Sequence, residues 1–463
     1  MPKKATSSVP SKLDLLQQIV KHTRVEPWKD KPMTQADLAA LGMSVAKMGP
    51  LGIAGIRAEA AEAVNTFADL TFSESPYRRG TTFLAVQKQL TDIIIINYAG
   101  NAKVAVDPTD VTFVETQIAD WFKGQMRTHE FYIPCFITPW PEAAFCLGPI
   151  RFAHVQDFAV AAQTETGPLY EMTFKSVFDL MARAAANWVA TVKIVGCTKE
   201  RAQEIANLAV DVALAGLQAS IPEEGARHMA RMTGRTMPVF SETVTRSDAG
   251  LSSATANTEP GRTLGPGFLD RRLAEVKPTV DSIANRIENF VRGGSALPDL
   301  EQAWPDAAYW FHEALAEPLD TIAVPKLETA IEILLRSEST KGSKARVLKA
   351  IGAFYGKKAT DFINPQSLTT VEDFAYGFVR DRSRILHGTW STLTHALHGS
   401  RPGLTGLIRD LLLMYSVALD QYGGSPSPKD AVDDFLNFVD TQRQILVAAA
   451  QAASSPAPKP VTP

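Results

Sequence analysis

The chain has few of the residues that build cross-linked or metal-organised proteins. Its 463 residues include three cysteines, Cys135, Cys146 and Cys197. Three thiols cannot all pair with one another, no two form a Cys-x-x-Cys, and no His/Cys cluster accompanies them. Disulfide and zinc frameworks are therefore both excluded as organising devices, and a reducing cytoplasm is the expected compartment. Long hydrophobic runs are missing too. No run approaches the roughly 18 apolar residues of a membrane span, so no membrane partner is expected. The polar N-terminus, with Lys3 and Lys4, lacks the apolar core of a secretory signal. There is no repeat of fixed period, and Gly261 to Gly267 lacks the Lys-Ser/Thr ending of a P-loop. Nor does one sign of charge dominate. A net charge of −3 and a pI near 6.3 exclude a surface coated in nucleic-acid-binding cations, although a local basic patch survives such averaging.

What is present is an ordinary composition, 45% hydrophobic and 21% charged, over a length suited to two or three domains. Residues 1–70 read as an N-terminal helical segment, with Thr34 and Asp37 as a helix start. Residues 71–292 read as an α+β domain of unassigned role. Within it, Thr91 to Tyr98, Phe131 to Ile137 and Phe145 to Phe152 have the β-branched and aromatic content of short strands, the last two interrupted by prolines and glycines. Helices are expected over 174–219, apart from a break near Val192 to Cys197, and again near Val280 to Val291. Met232 to Phe268 reads as irregular strands or a long exposed loop. Beyond a Gly293-Gly294 linker, residues 300–453 are all-helical, and 454–463 form a Pro-rich tail expected to be disordered.

The strongest chemical suggestion is Arg382-Ser383-Arg384-Ile385-Leu386-His387-Gly388. A histidine can move a ribose 2′-hydroxyl proton, and an arginine can stabilise the charge that builds on the phosphate, so the pair can cleave a phosphodiester without metal. On a helix over 371–387, Val371, Phe374, Ala375, Phe378, Ile385 and Leu386 form one apolar stripe, and Arg382 sits within it. A guanidinium there needs a partner or solvent. Five positions put Arg382 and His387 about 140° apart around an ideal helix. Either the helix breaks at His387, which Gly388 permits, or two copies supply one composite site. Arg380 lies almost on the face of His387. Ser343 to Arg409 holds ten Lys/Arg, including Lys357 and Lys358, against the four acids Asp361, Glu372, Asp373 and Asp381. Such an excess attracts phosphate.

The segment Phe374 to Gly388 resembles the signature of HEPN domains of the Apea-like type, with Arg382, Ser383 and His387 matching position by position, and Ala323 to Arg336 resembles the family's earlier helix. The resemblance spans about residues 304–422. It implies an all-α HEPN bundle that follows the α+β region and forms a homodimer through the C-terminal helices. It also implies a metal-independent endoribonuclease needing no cofactor, of the kind used as toxins or anti-phage effectors. By the resemblance its RNA would be cut by Arg382, Ser383 and His387; the local charge adds Arg380, Arg384, Lys357 and Lys358 as residues to hold it, the two lysines reading also as a solvated loop, and residues 1–292 are then read as the sensor of a trigger ligand or protein.

Blander readings stand beside this one. Arg and His at a helix end complement the helix dipole. The module could be a non-catalytic dimerisation or RNA-binding unit, since some family members have lost catalysis. An enzyme could instead lie in the N-terminal region, but His129, His154 and Asp157 form no ligand set at recognisable spacing. Trp304, Trp310, Trp390 and Tyr376 read as packing residues, and Cys135 and Cys146 as buried, inert thiols.

Overall fold

A computed structural model describes the chain except residues 1–9, 28–40, 50–51, 75–77, 100–104, 163–167, 222–223, 233–239, 258, 338–339, 365–367, 396, 398–399 and 455–463. The helix start at Thr34 and the Pro-rich tail beyond Ser454 lie outside the described residues. The chain forms two compact units, residues 1–129 with 194–204, and residues 130–193 with 205–463.

The first unit is α+β, not the helical segment expected of residues 1–70. Helix α1 (Lys12–Lys21) opens on a reciprocal cap between Ser11 and Asp14. It leads into an antiparallel sheet of β1 (Thr23–Pro27), β2 (Met43–Gly49) and β3 (Gly52–Arg57), with β3 central. Helices α2 (Ala61–Glu74), α3 (Phe83–Tyr98) and α4 (Pro108–Gln125) follow. Thr91 to Tyr98, expected as a strand, is the second half of α3. Its β-branched residues favour a strand locally, but Val86, Leu90, Ile93 and Ile94 recur at helical spacing and all are buried against Leu16, Ile19, Phe67 and Ile118. Burial of that stripe outweighs a propensity difference of a few tenths of a kcal/mol per residue.

The second unit contains a five-stranded sheet in the order β5-β6-β7-β4-β8. Its strands are β4 (Arg127–Phe136), β5 (Phe145–Leu147), β6 (Ile150–His154), β7 (Trp188–Cys197) and β8 (Ala230–Arg231). The expected strands near 131–137 and 145–152 are therefore present, and the helical break near Val192 is a strand. Cys135 is buried, but Cys146 on the edge strand β5 is exposed, contrary to expectation. Around the sheet run α5 (Val155–Ala162), α6 (Pro168–Ala184) and α7 (Lys199–Ser220). The Ser/Thr-rich stretch after Met232 contains an antiparallel hairpin of β9 (Phe240–Ser247) and β10 (Gly250–Asn257).

From Phe268 the unit is helical: α8 (Phe268–Glu275), α9 (Lys277–Arg292), α10 (Pro298–Leu315), α11 (Asp320–Leu334), α12 (Thr340–Tyr355), α13 (Val371–Leu386), α14 (Ser400–Gly423) and α15 (Val432–Ser454). Helix α13 packs on α11 and α12, while α14 packs on α9, α10, α11 and α15. By length and composition alone, Arg401–Gly423 could cross a membrane. Its Leu404, Ile408, Leu411, Leu412, Tyr415 and Leu419 are buried among its neighbours, so it is the bundle's central helix. The indole of Trp304 on α10 donates to the Leu412 carbonyl at 2.9 Å, tying α10 to this helix.

Candidate nucleic-acid interface

Helix α13 carries Arg382 to Leu386 of the sequence motif, with His387 and Gly388 directly after it, and its ends are set locally. Thr370 caps the start by accepting from the Asp373 N–H. The chain stays helical through Leu386, and His387 is the C-terminal cap. Gly388 follows with φ +69°, a left-handed conformation that costs a side-chain-bearing residue roughly 1 kcal/mol or more. The N–H groups of Thr389 and Trp390 then both turn back to the Arg384 carbonyl, at 2.8 and 3.1 Å. The helix therefore does not break before His387.

Two faces of α13 have different chemistry. Tyr376, Arg380, Arg384 and His387 are exposed and Ser383 is half-buried. At helical spacing these five share one side. The turn after Gly388 brings Trp390 to the same end. Its ring lies 5.0 Å from the Arg384 guanidinium and 5.9 Å from that of Arg380, and it stacks on His395 with centroids 4.0 Å apart. The sequence reading took Trp390 as a packing residue and left its two cations unlinked to it. The signal was the Arg-x-x-x-Arg spacing followed, six residues on, by tryptophan.

The other face carries Arg382. Its Nη1 lies 2.6 Å from Glu332 Oε2 and 3.8 Å from Glu328 Oε1, both on α11. Arg382 thus leaves the helix towards α11, and His387 leaves it towards solvent. A single chain does not bring the two together. Glu328 is 1% exposed, and neither of its carboxylate oxygens has a hydrogen-bond partner. Burial pushes its carboxyl up to about 8 against the downward pull of Arg382, with Glu332 and Asp381 adding to the rise. Asp381 is itself buried and bound by Arg380 at 2.8 Å. The stripe expected on α13 holds for Val371, Ala375 and Ile385, which are buried, but not for Leu386, which is exposed. The Phe378 side chain lies outside the described residues.

The basic excess of Ser343 to Arg409 is largely cancelled by acids, many of them from outside that window. Lys344 pairs with Glu372, Arg346 and Lys349 with Asp433, and Arg401 with Asp320. Arg380, Arg382 and Arg409 pair with Asp381, Glu332 and Asp410. Lys357 donates to the carbonyls of Phe362 and Ile363, so it closes a loop, whereas Lys358 is exposed. Among the described residues of that stretch, Arg384 beside Trp390 and the exposed Lys358 keep no carboxylate partner, while Arg380, paired with Asp381, also stays exposed near Trp390.

Comparison with protein-family models, with curated proteins and with solved structures finds no match to this chain.

Proposed function

We propose that the C-terminal helices form a HEPN-like, metal-independent endoribonuclease module that holds RNA on the exposed face of α13. The observation that supports this reading is the convergence of Arg380, Ser383, Arg384 and His387 on one side of the helix, ending at Trp390. Guanidinium groups beside an indole suit a phosphate next to an unpaired base. In this reading, His387 exchanges the 2′-hydroxyl proton and Arg380 and Arg384 hold the backbone. The second strong charge at the scissile phosphate comes from Arg382 of the other copy in a homodimer. Attack by the internal 2′-oxygen leaves a 2′,3′-cyclic phosphate and a 5′-hydroxyl. The first unit would receive the trigger, in a cytoplasmic defence or toxin setting.

The test is incubation of the full chain with RNA in EDTA, alone and with His387→Ala. Cyclic-phosphate ends that disappear in the variant support the reading, and full activity in the variant ends it. A second reading is favoured by the pairing of Arg382 with Glu332. In it, the module binds RNA or dimerises without catalysis, and Arg382 only pins α13 to α11. That reading expects RNA binding with no cleavage under any condition.

A further inference from the structure

We infer that Glu332 forms an autoinhibitory latch, which stows the Arg382 guanidinium against α11, over the buried Glu328, and away from the RNA face of α13. The inference rests on the ribonuclease reading and names a regulation of that site. Arg382 is held by a single close contact, Nη1 to Glu332 Oε2 at 2.6 Å. Its Nε is buried with no hydrogen-bond partner, as are both carboxylate oxygens of Glu328. A guanidinium selected only to pin two helices would engage a carboxylate through two parallel bonds, and buried polar atoms are ordinarily satisfied. Here one donor and two acceptors are left over within one small cluster. The stowed arrangement is therefore incompletely satisfied, which lowers the cost of leaving it.

The protonation chemistry of the cluster points the same way. Glu328 is pushed up by burial, so near neutral pH it carries its proton and contributes little charge. Glu332 then supplies the electrostatic hold. Its side chain is 15% exposed and opens on a polar cleft of about 350 Å³, which Gln302, Asp306 and Arg336 also line. The Arg382 side chain is 27% exposed, so the guanidinium is covered but not sealed in. If Arg382 leaves, Glu328 is already neutral, and the Glu332 carboxylate keeps its opening on the cleft. Asp381 stays satisfied by Arg380. The freed side chain can then reach a phosphate bound on a second copy, which its position on α13 denies it while paired.

The experiment uses full-length wild type, Glu332→Gln, and Glu332→Gln combined with Arg382→Lys. Two quantities are read: the solvent exchange of the Arg382 Nε–H by NMR, assigned through the Lys variant, and cleavage of a fluorogenic single-stranded RNA in EDTA. The expected result is faster exchange at Arg382 and a rise in cleavage of about tenfold in Glu332→Gln, lost in the double variant. His387-dependent cleavage by wild type that Glu332→Gln leaves unchanged or lowers overturns the latch alone. A freed Arg382 with no cleavage by any variant overturns both the latch and the ribonuclease reading. Should Glu332→Gln fail to fold, Glu332→Asp shortens the arm while keeping the charge. The same two readouts then apply, and an unchanged cleavage rate again counts against the latch.

Discussion

Glu328 on α11 and Arg382 on α13 face each other at 3.8 Å, with no hydrogen bond to either carboxylate oxygen of the glutamate. Opposite charges at that separation ordinarily pull a carboxyl's pKa down. Here burial outweighs the attraction and leaves the carboxyl at about 8. The consequence is a stability that depends on pH in a direction opposite to that of most acids.

The folded-state value lies above the ordinary 4.5, so the fold favours the protonated form. The penalty for ionising Glu328 is absent below pH 4.5, grows as pH rises to about 8, and is complete above that. Glu328→Gln removes the ionisation while keeping the shape. Its gain over wild type should be near zero at pH 5 and on the order of a few kcal/mol at pH 9, read as melting temperatures at the two pH values. A gain at pH 5 equal to that at pH 9 would refute the assignment.

Arg286 on α9 is 3% exposed and bridges Glu301 on α10, at 3.0 Å, to Asp420 on α14. Replacing it with methionine keeps the packing volume but leaves the mostly buried Glu301 and the partly exposed Asp420 without their shared cation. The loss should be about 3–5 kcal/mol in urea denaturation. Adding Glu301→Gln and Asp420→Asn should recover most of it. A loss below about 1 kcal/mol would mean that the bridge is solvated.

Trp390 and Arg384 should contribute to RNA binding in separable ways. Trp390→Ala should weaken binding of a single-stranded RNA by about 1–3 kcal/mol at any salt concentration. Arg384→Gln should lower the slope of log affinity against log salt by about 0.7. Fluorescence anisotropy across a salt series distinguishes the two, and equal effects of both variants on the slope would deny Trp390 a stacking role.

Gly388 holds a left-handed φ, with nothing within 4 Å of the place a Cβ would occupy. Gly388→Ala therefore meets no clash, only backbone strain, and should cost about 1 kcal/mol. Because the Thr389 and Trp390 N–H groups both return to Arg384, the same change should also loosen Trp390. The measurable outcome is a small drop in melting temperature together with a larger proportional loss of RNA affinity.

The thiols should titrate unequally. Cys146 is exposed, whereas Cys135 and Cys197 are buried and burial pushes both of those thiols up. A thiol reagent such as DTNB should therefore react quickly with one thiol per native chain and with three after denaturation. Two fast thiols in the native state would show that one of the buried sites opens readily.

The helical character of the chain from Trp304 onward was legible because its signals are local. Apolar spacing and Gly388 each act within a turn or two of the residues they organise. The helix around Ile93 was misread for the complementary reason: β-branched side chains carry a local preference that burial against Phe67 and Ile118 overrides. The sheet at residues 23–57 was missed because its strands lack the run of β-branched and aromatic residues seen at 131–137 and 145–152. They are defined by their pairing with β3, and pairing between separated segments leaves little trace in composition.

Sequence alone determined which ionisable groups stand on α13 and at what angular spacing, because a helix of fixed pitch converts residue number into direction. It therefore placed Arg380 near the side of His387 and Arg382 away from it. Only the tertiary structure decided what Arg382 meets, since Glu328 and Glu332 arrive from a helix some fifty residues earlier in the chain. The same holds for the basic stretch, whose charge looked free in the sequence and is mostly neutralised by acids such as Asp320 and Asp433. Electrostatic pairing depends on distance through space, and chain order does not encode that distance until the helices have packed.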